Sequence, residues 1–214
     1  GAVSMPGMMD TILNLGLNDR TVQGLAQQSG NPRFAFDSYR RFLQMYGDVV
    51  LGVPVHDFEH LLKAKRLMTG SQTDAELDEE TLRNLVEEYK ALIRNTTGSD
   101  FPMDVQAQLW GALEAVWTSW TLKKAVEYRR VNAIPEDSGT AVNIVAMVYG
   151  NMGDDSGTGV AFTRDPSTGE RKLYGECLIN AQGEDVVAGI RTPLHIDELE
   201  QKIPGAYADL LRVQ

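Results

Sequence analysis

Between residue 21 and about residue 94, apolar residues return every three or four positions. Leu43, Tyr46 and Val50 fall on one helical stripe, and Leu82, Leu85, Val86, Tyr89 and Ile93 on another. Glu79, Glu80, Glu87, Glu88 and Lys90 lie opposite the second stripe. Asp78 is placed to cap that second helix and Gly98 lies just past its end, while the polar run GSQTDAELDEE before it predicts a turn. A further helix is expected from about residue 104 to residue 130, with Leu109, Leu113, Val116, Trp117 and Trp120 as a core-facing stripe and Pro135 as its stop. Beyond Gly139 the period shortens. TAVNIVAMVYG, TGVAFTRDP, KLYGECLINA and EDVVAGIR are short, rich in Val and Ile, and separated by Gly, Asp, Pro and Ser, the pattern of strands joined by turns. HIDELEQKIPGAYADLLRVQ returns to a helical pattern. The opening residues 1–10 hold two glycines, a proline and three methionines within nine positions, which predicts a loop. Such a loop either brings backbone and adaptable apolar side chains close to a ligand or is a ragged terminus.

Composition narrows the class. With 214 residues, 43% of them hydrophobic, the chain can build one sizeable core or two small ones. No run approaches the ~18 consecutive apolar residues that span a bilayer, so no membrane role is expected. A net charge of -10 argues against nucleic-acid binding through a general field. The single Cys177 leaves no internal disulfide, and no Cys/His spacing resembles a zinc site, which fits a reducing, cytoplasmic setting. The acidic stretch 74–88 and the basic residues Lys123, Lys124, Arg129 and Arg130 read as solvated helix faces.

Three places carry candidate chemistry. GNMGDDSGTGV, residues 150–160, holds four glycines, two aspartates, a serine and a threonine between two predicted strands. Successive amides in such a turn make a nest for phosphate oxygens, with glycine permitting the backbone angles, or else simply a tight β-turn. It is neither a Walker loop nor a dinucleotide fingerprint. Glu184 and Asp185, after Gly183, suit a ribose hydroxyl or a water-held cation, or a solvated turn. Glu176 interrupts an apolar strand, so its carboxylate is paired, hydrogen-bonded, or on the wet face of an alternating strand.

SMPGMMDTILNLG, SYRRFLQMYG, YRRVNAIP, GTAVN, GNMGDDSGTGVAFTRDPSTGE and YGECLINAQGEDVVAGIRTP closely resemble the pyruvate, phosphate dikinase family, in one collinear order covering nearly the whole chain. The resemblance implies an α+β, ATP-grasp nucleotide-binding segment with a helical insertion and an incomplete second lobe. It implies binding of ATP and AMP within an enzyme that interconverts ATP, phosphate and pyruvate with AMP, pyrophosphate and phosphoenolpyruvate. That chemistry uses magnesium and a phosphorylated histidine on a separate swivelling domain of the same polypeptide, in a parent expected to be a homo-oligomer in the cytoplasm or an organelle. Carried over by position, Val145 and Met147 lie beside the adenine, mainly through backbone groups, although the family often has glutamine where this chain has Val145. Thr158 and Gly159 close over the phosphates. Met8 and Arg40 match positions associated with the nucleotide, and Glu176 and Asp185 match polar positions with ribose contact implied.

The same resemblance implies what the chain leaves out. A lysine and an arginine before the segment and acidic, glutamine and arginine residues after it are missing, so magnesium ligands are expected outside residues 1–214. His56, His60 and His195 do not stand in the family's phosphoacceptor context. The expected architecture is one subdomain from 1–16 plus 103–148, a helical insertion at 17–102 and a partial second lobe at 149–214, with the isolated chain inactive. Two rival readings stay open: a phosphoenolpyruvate synthase-type phosphotransferase, and a non-catalytic interaction module that docks through the acidic helix around Glu79 and Glu88.

Overall fold

The structure is a computed structural model that describes residues 3–187, 189 and 191–213, with only the backbone at 184 and 187. It is an α+β chain that divides into two compact units, Gly1–Met147 and Val148–Gln214.

The first unit is helical: α1 (Thr21–Ser29), α2 (Pro32–Val49), α3 (Val55–Thr69), α4 (Glu79–Thr97), α5 (Val105–Ser119) and α6 (Lys123–Val131). Their ends follow from local chemistry. The Asn31 side chain accepts the Phe34 N–H and Pro32 opens α2, where its missing N–H is harmless. Asp78 accepts the Thr81 N–H at 2.8 Å to start α4, and Gly98, at φ 75°, closes it in the left-handed conformation that other residues resist. α2 and α4 bury Phe42, Leu43, Tyr46, Leu82, Leu85, Tyr89 and Ile93. Within that core Phe42, Tyr46 and Phe101 meet edge to face with ring centres 5.5–5.6 Å apart, each such pair contributing about 1 kcal/mol beyond its buried area.

The expected helix over 104–130 is two helices, broken at residues 120–122, and it ends at Val131 before Pro135. Its buried face also differs from the expected stripe. Leu109, Leu113, Val116 and Trp120 are only half-buried and Trp117 is exposed, whereas Gln108, Ala112 and Ser119 are sealed. The reason is polar. Gln108 accepts from the Gly16 N–H at 3.1 Å and donates to the carbonyls of Leu17 and Pro102 at 3.0 and 2.8 Å, so this face clasps the opening segment. Arg129 is no solvated charge either. It is 1% exposed, stacks over the Trp120 ring and donates to Glu136 and to the Trp120 carbonyl.

In the second unit β1 (Gly157–Phe162), β2 (Tyr174–Ile179), α7 (Gly183–Val187), β3 (Leu194–His195), α8 (Leu199–Lys202) and α9 (Pro204–Val213) follow in order. The sheet is antiparallel in the order β1-β2-β3, with Gly159 opposite Cys177, Val160 opposite Glu176, and Glu176 opposite His195. Cys177 and Leu194 point to a small core with Leu173, Ile196 and Leu199, joined by Ile203, Tyr207 and Leu210 from the C-terminal helices. Val160, Phe162, Tyr174 and Glu176 lie on the other face and are exposed.

Two expected strands do not form. TAVNIVAMVYG, residues 140–150, does not form a strand, and Ile144 and Val145 are 68% and 84% exposed. An extended apolar stretch becomes a strand only when a neighbour takes its N–H and C=O groups. EDVVAGIR instead begins as α7, because the Asp185 carboxylate accepts the Gln182 N–H at 2.9 Å and the Asp185 N–H returns to the Gln182 carbonyl at 3.0 Å. Residues 188 and 190 of that string, and residues 1 and 2 of the opening loop, lie outside the described residues. Among the described residues no helix is long and apolar enough to cross a membrane.

Candidate nucleotide site

In the second unit the glycine-rich turn 150–156 is fastened to the end of β2. Ala181 N–H donates to Gly150 O at 2.9 Å, Asn180 N–H to Ser156 O at 2.8 Å, and the Gln182 amide to Asn151 Oδ1 at 3.3 Å. Ser156 folds the turn on itself, its hydroxyl accepting from Gly153 N–H at 2.9 Å and donating to Gly153 O at 2.7 Å. None of Gly150, Gly153, Gly157 and Gly159 has a positive φ, so left-handed backbone is not what this turn needs glycine for. Close approach is. A Cβ on Gly150 would stand 2.4 Å from the Ala181 carbonyl oxygen, and one on Gly157 2.9 Å from that of Leu178.

Thr158 and Gly159 lie in β1, directly after the turn. The Thr158 hydroxyl is half-buried, bonds to none of the described residues, and sits 3.8 Å from the position a Cβ on Gly183 would take. Glu176 shares the outer sheet face with Thr158, two positions along the ladder, and is exposed, the wet-face alternative of the sequence reading. Asp185 is 6% exposed, with one carboxylate oxygen on the Gln182 N–H. The side chain of Glu184 lies outside the described residues.

The other four candidates belong to the first unit. Met8 is half-buried and closes a turn by donating its N–H to Met5 O at 3.1 Å. Val145 and Met147 lie in the unpaired stretch after Gly139, the first exposed and the second half-buried. Arg40 differs from these three. It is 4% exposed in α2, donates to Asp37 at 2.5 Å and Gln44 at 3.4 Å, and has no hydrogen-bond partner among the described residues of the opening loop or of 140–147. Burial alone would push the Asp37 carboxyl up, but attraction to Arg40 and Arg41, the Arg40 hydrogen bond and the charge of Arg33 outweigh it and hold Asp37 at about 2.

Sequence reasoning did not single out Asn151, Asn180, Gln182 or Arg191. Asn151 and Gln182 are buried, and Arg191 donates to the Ile179 and Asn180 carbonyls at 3.2 and 3.1 Å, clamping the end of β2. The one signal available was the placement of amide residues beside the glycine strings. Among the described residues no three His, Cys, Asp or Glu side chains converge to hold a metal ion.

The sequence profile of the family described as "Pyruvate phosphate dikinase, AMP/ATP-binding domain" covers residues 2–204. Pyruvate, phosphate dikinase of Clostridium symbiosum is 56% identical over 209 residues, 97% of this chain and 24% of that protein. Pyruvate, phosphate dikinase 1, chloroplastic, of Arabidopsis thaliana is 57% identical over 210 residues, 98% of this chain and 22% of that protein. The Rhizobium meliloti enzyme of the same name is 51% identical over 222 residues, 98% and 25%. This chain belongs to the pyruvate phosphate dikinase AMP/ATP-binding domain family. It spans about a quarter of the length of these relatives.

Proposed function

We propose that the chain binds ATP and AMP as the nucleotide-handling part of a pyruvate, phosphate dikinase. Adenine lies along the backbone of Val145 and Met147 with Met8 beside it, the phosphates meet Thr158 and Gly159, and Glu176 and Asp185 serve the ribose side. Arg40, paired with Asp37 and with its buried Nε bonded to none of the described residues, is proposed as a further group on the nucleotide side. The observation that carries this reading is the Thr158 hydroxyl, without a partner among the described residues, at the exit of a turn that is rigidly fastened to the neighbouring strand end. A fixed donor beside exposed backbone is what polyphosphate recognition uses.

The architecture proposed is an ATP-grasp with 1–16 and 103–148 in one lobe, 17–102 as a helical insertion and 149–214 as part of a second lobe. Two features of the first unit support it: the helical body α1 to α4, and the apolar, unpaired residues 140–147, which suit a strand whose partner comes from elsewhere in a longer polypeptide. In that polypeptide ATP, phosphate and pyruvate go to AMP, pyrophosphate and phosphoenolpyruvate through a histidine on a separate domain, with magnesium held by groups outside this chain. The parent is proposed to be a homo-oligomer of the cytoplasm or of an organelle; the organelle is the setting that the names of several relatives, chloroplastic, suggest. An interaction module docking through α4 is the weaker reading, because three of its four glutamates are already paired: Glu79 with Arg83, Glu87 with Lys90 and Glu88 with Lys65.

Hydrogen exchange of the full-length protein tests the placement. ATP is expected to slow exchange at residues 152–158 more than AMP does. Equal protection by both, or none, contradicts it.

A further inference from the structure

The tip of the turn 150–156 is open to water: Met152, Asp154 and Asp155 are exposed, and the apolar core of Leu173, Cys177, Ile196 and Leu199 takes no residue from the turn. Directional bonds tie it to residues 180–182. Two are backbone bonds at its ends, and Asn180 adds one from its side chain to Asp154 at 3.4 Å. The contact that is sealed from water lies between amides: Asn151 is 8% exposed and Gln182 2%. Gln182 is in turn held from behind, its N–H on the Asp185 carboxylate at 2.9 Å. Asn180 sits at φ 49°, a left-handed angle that asparagine tolerates better than most residues, and this angle turns the chain from β2 toward Gln182.

Apolar side chains of the same volume would fill this space without fixing a register, because dispersion contacts have no preferred direction. A buried amide pair has one, and it loses its bond if either strand end slides. Gly183 follows Gln182 directly, and a Cβ built on Gly183 would stand 3.8 Å from the Thr158 hydroxyl oxygen. The amide contact thus sets both walls of the proposed phosphate site at once, the turn through Asn151 and the Gly183 backbone through Gln182.

We infer that the buried amide pair of Asn151 and Gln182, backed by Asp185, is the positioning element of the phosphate site, holding the 150–156 turn and the Thr158 hydroxyl in register with Gly183. This rests on the nucleotide site proposed above and adds to it two residues to which that proposal gives no nucleotide contact.

The test compares N151A, Q182A, the double variant and T158V in the full-length protein, with ATP and AMP dissociation constants and melting temperature measured for each. Loss of position at the phosphates raises the ATP constant roughly tenfold or more and leaves AMP much less affected, so the ratio of the two shifts. The double variant is expected to be no worse than the poorer single one, since the pair acts as a unit. The swap N151Q/Q182N, which remakes the contact at the same total reach, restores most of the lost ATP affinity. A purely structural pair would lower the melting temperature while the ratio stays where it was, and that result overturns the inference, as do additive losses. T158V separates the two levels. If T158V shifts the ratio and the amide variants do not, the positioning role alone fails; if T158V does not shift it either, the nucleotide placement fails as well. Should Q182A not accumulate as folded protein, N151S removes the acceptor with a smaller change of volume and carries the same expectations.

Discussion

A Cβ built on Gly159 would stand 2.5 Å from the carbonyl oxygen of Glu176 on the facing strand and 3.0 Å from Cys177 Cβ. β1 and β2 approach so closely that position 159 has no room for a side chain, whatever the ligand. Gly159→Ala must push the strands apart, at a cost of about 1–3 kcal/mol. The expected outcome is a lower melting temperature before any nucleotide is added, and ATP, whose outer phosphates are proposed to lie at Thr158 and Gly159, weakened more than AMP. An unchanged melting temperature would mean that the ladder gives way freely there.

Acid should loosen the helical unit through Asp37. Its folded value, about 2, lies below the ordinary 3.8, so its contribution is fully present above about pH 4 and is lost as pH falls through about 2. Linkage puts that contribution at about 2 kcal/mol. Asp37→Asn should remove this part of the acid dependence and also leave the Arg40 charge buried without its partner, costing about 3–5 kcal/mol at neutral pH. Urea unfolding from pH 2 to pH 7 reads both effects. A stability that is flat between pH 4 and pH 2 in the parent chain would contradict the assignment.

The adenine placement ranks two substitutions. Val145 is 84% exposed, so Val145→Gln should leave the melting temperature where it is and weaken ATP less than Met147→Lys, which sets a charge where an apolar base packs. Calorimetric titration of both variants gives the order, and the reverse order would place the base elsewhere.

The helices that rest on a 3.6-residue period and a side-chain cap were readable in advance. Asp78, Gly98 and the stripe from Leu82 to Ile93 behave as their spacing dictates. What failed to read were features decided by distant partners. α5 buries Gln108 rather than its aromatic stripe because the Leu17 carbonyl and the Gly16 N–H, some ninety residues away, claim that amide. Residues 140–150 have the composition of a strand, but pairing, not composition, makes one. The site divides the same way. Thr158, Gly159 and Glu176 sit on strings whose residue types announce turns and strands, whereas the contact between Asn151 and Gln182 exists only once β1 and β2 are in register.

Calorimetry on Thr158→Val in the full-length protein, with ATP and AMP titrated separately, bears most directly on the nucleotide reading. Valine keeps the volume and removes only the hydroxyl, which has no other partner among the described residues. A hydrogen bond to a charged phosphate contributes about 1.5–3 kcal/mol, so ATP should bind roughly ten- to a hundredfold more weakly, while AMP, which lacks the outer phosphates, changes little. Equal losses for the two nucleotides, or no loss for ATP in a folded variant, would contradict phosphate binding at Thr158.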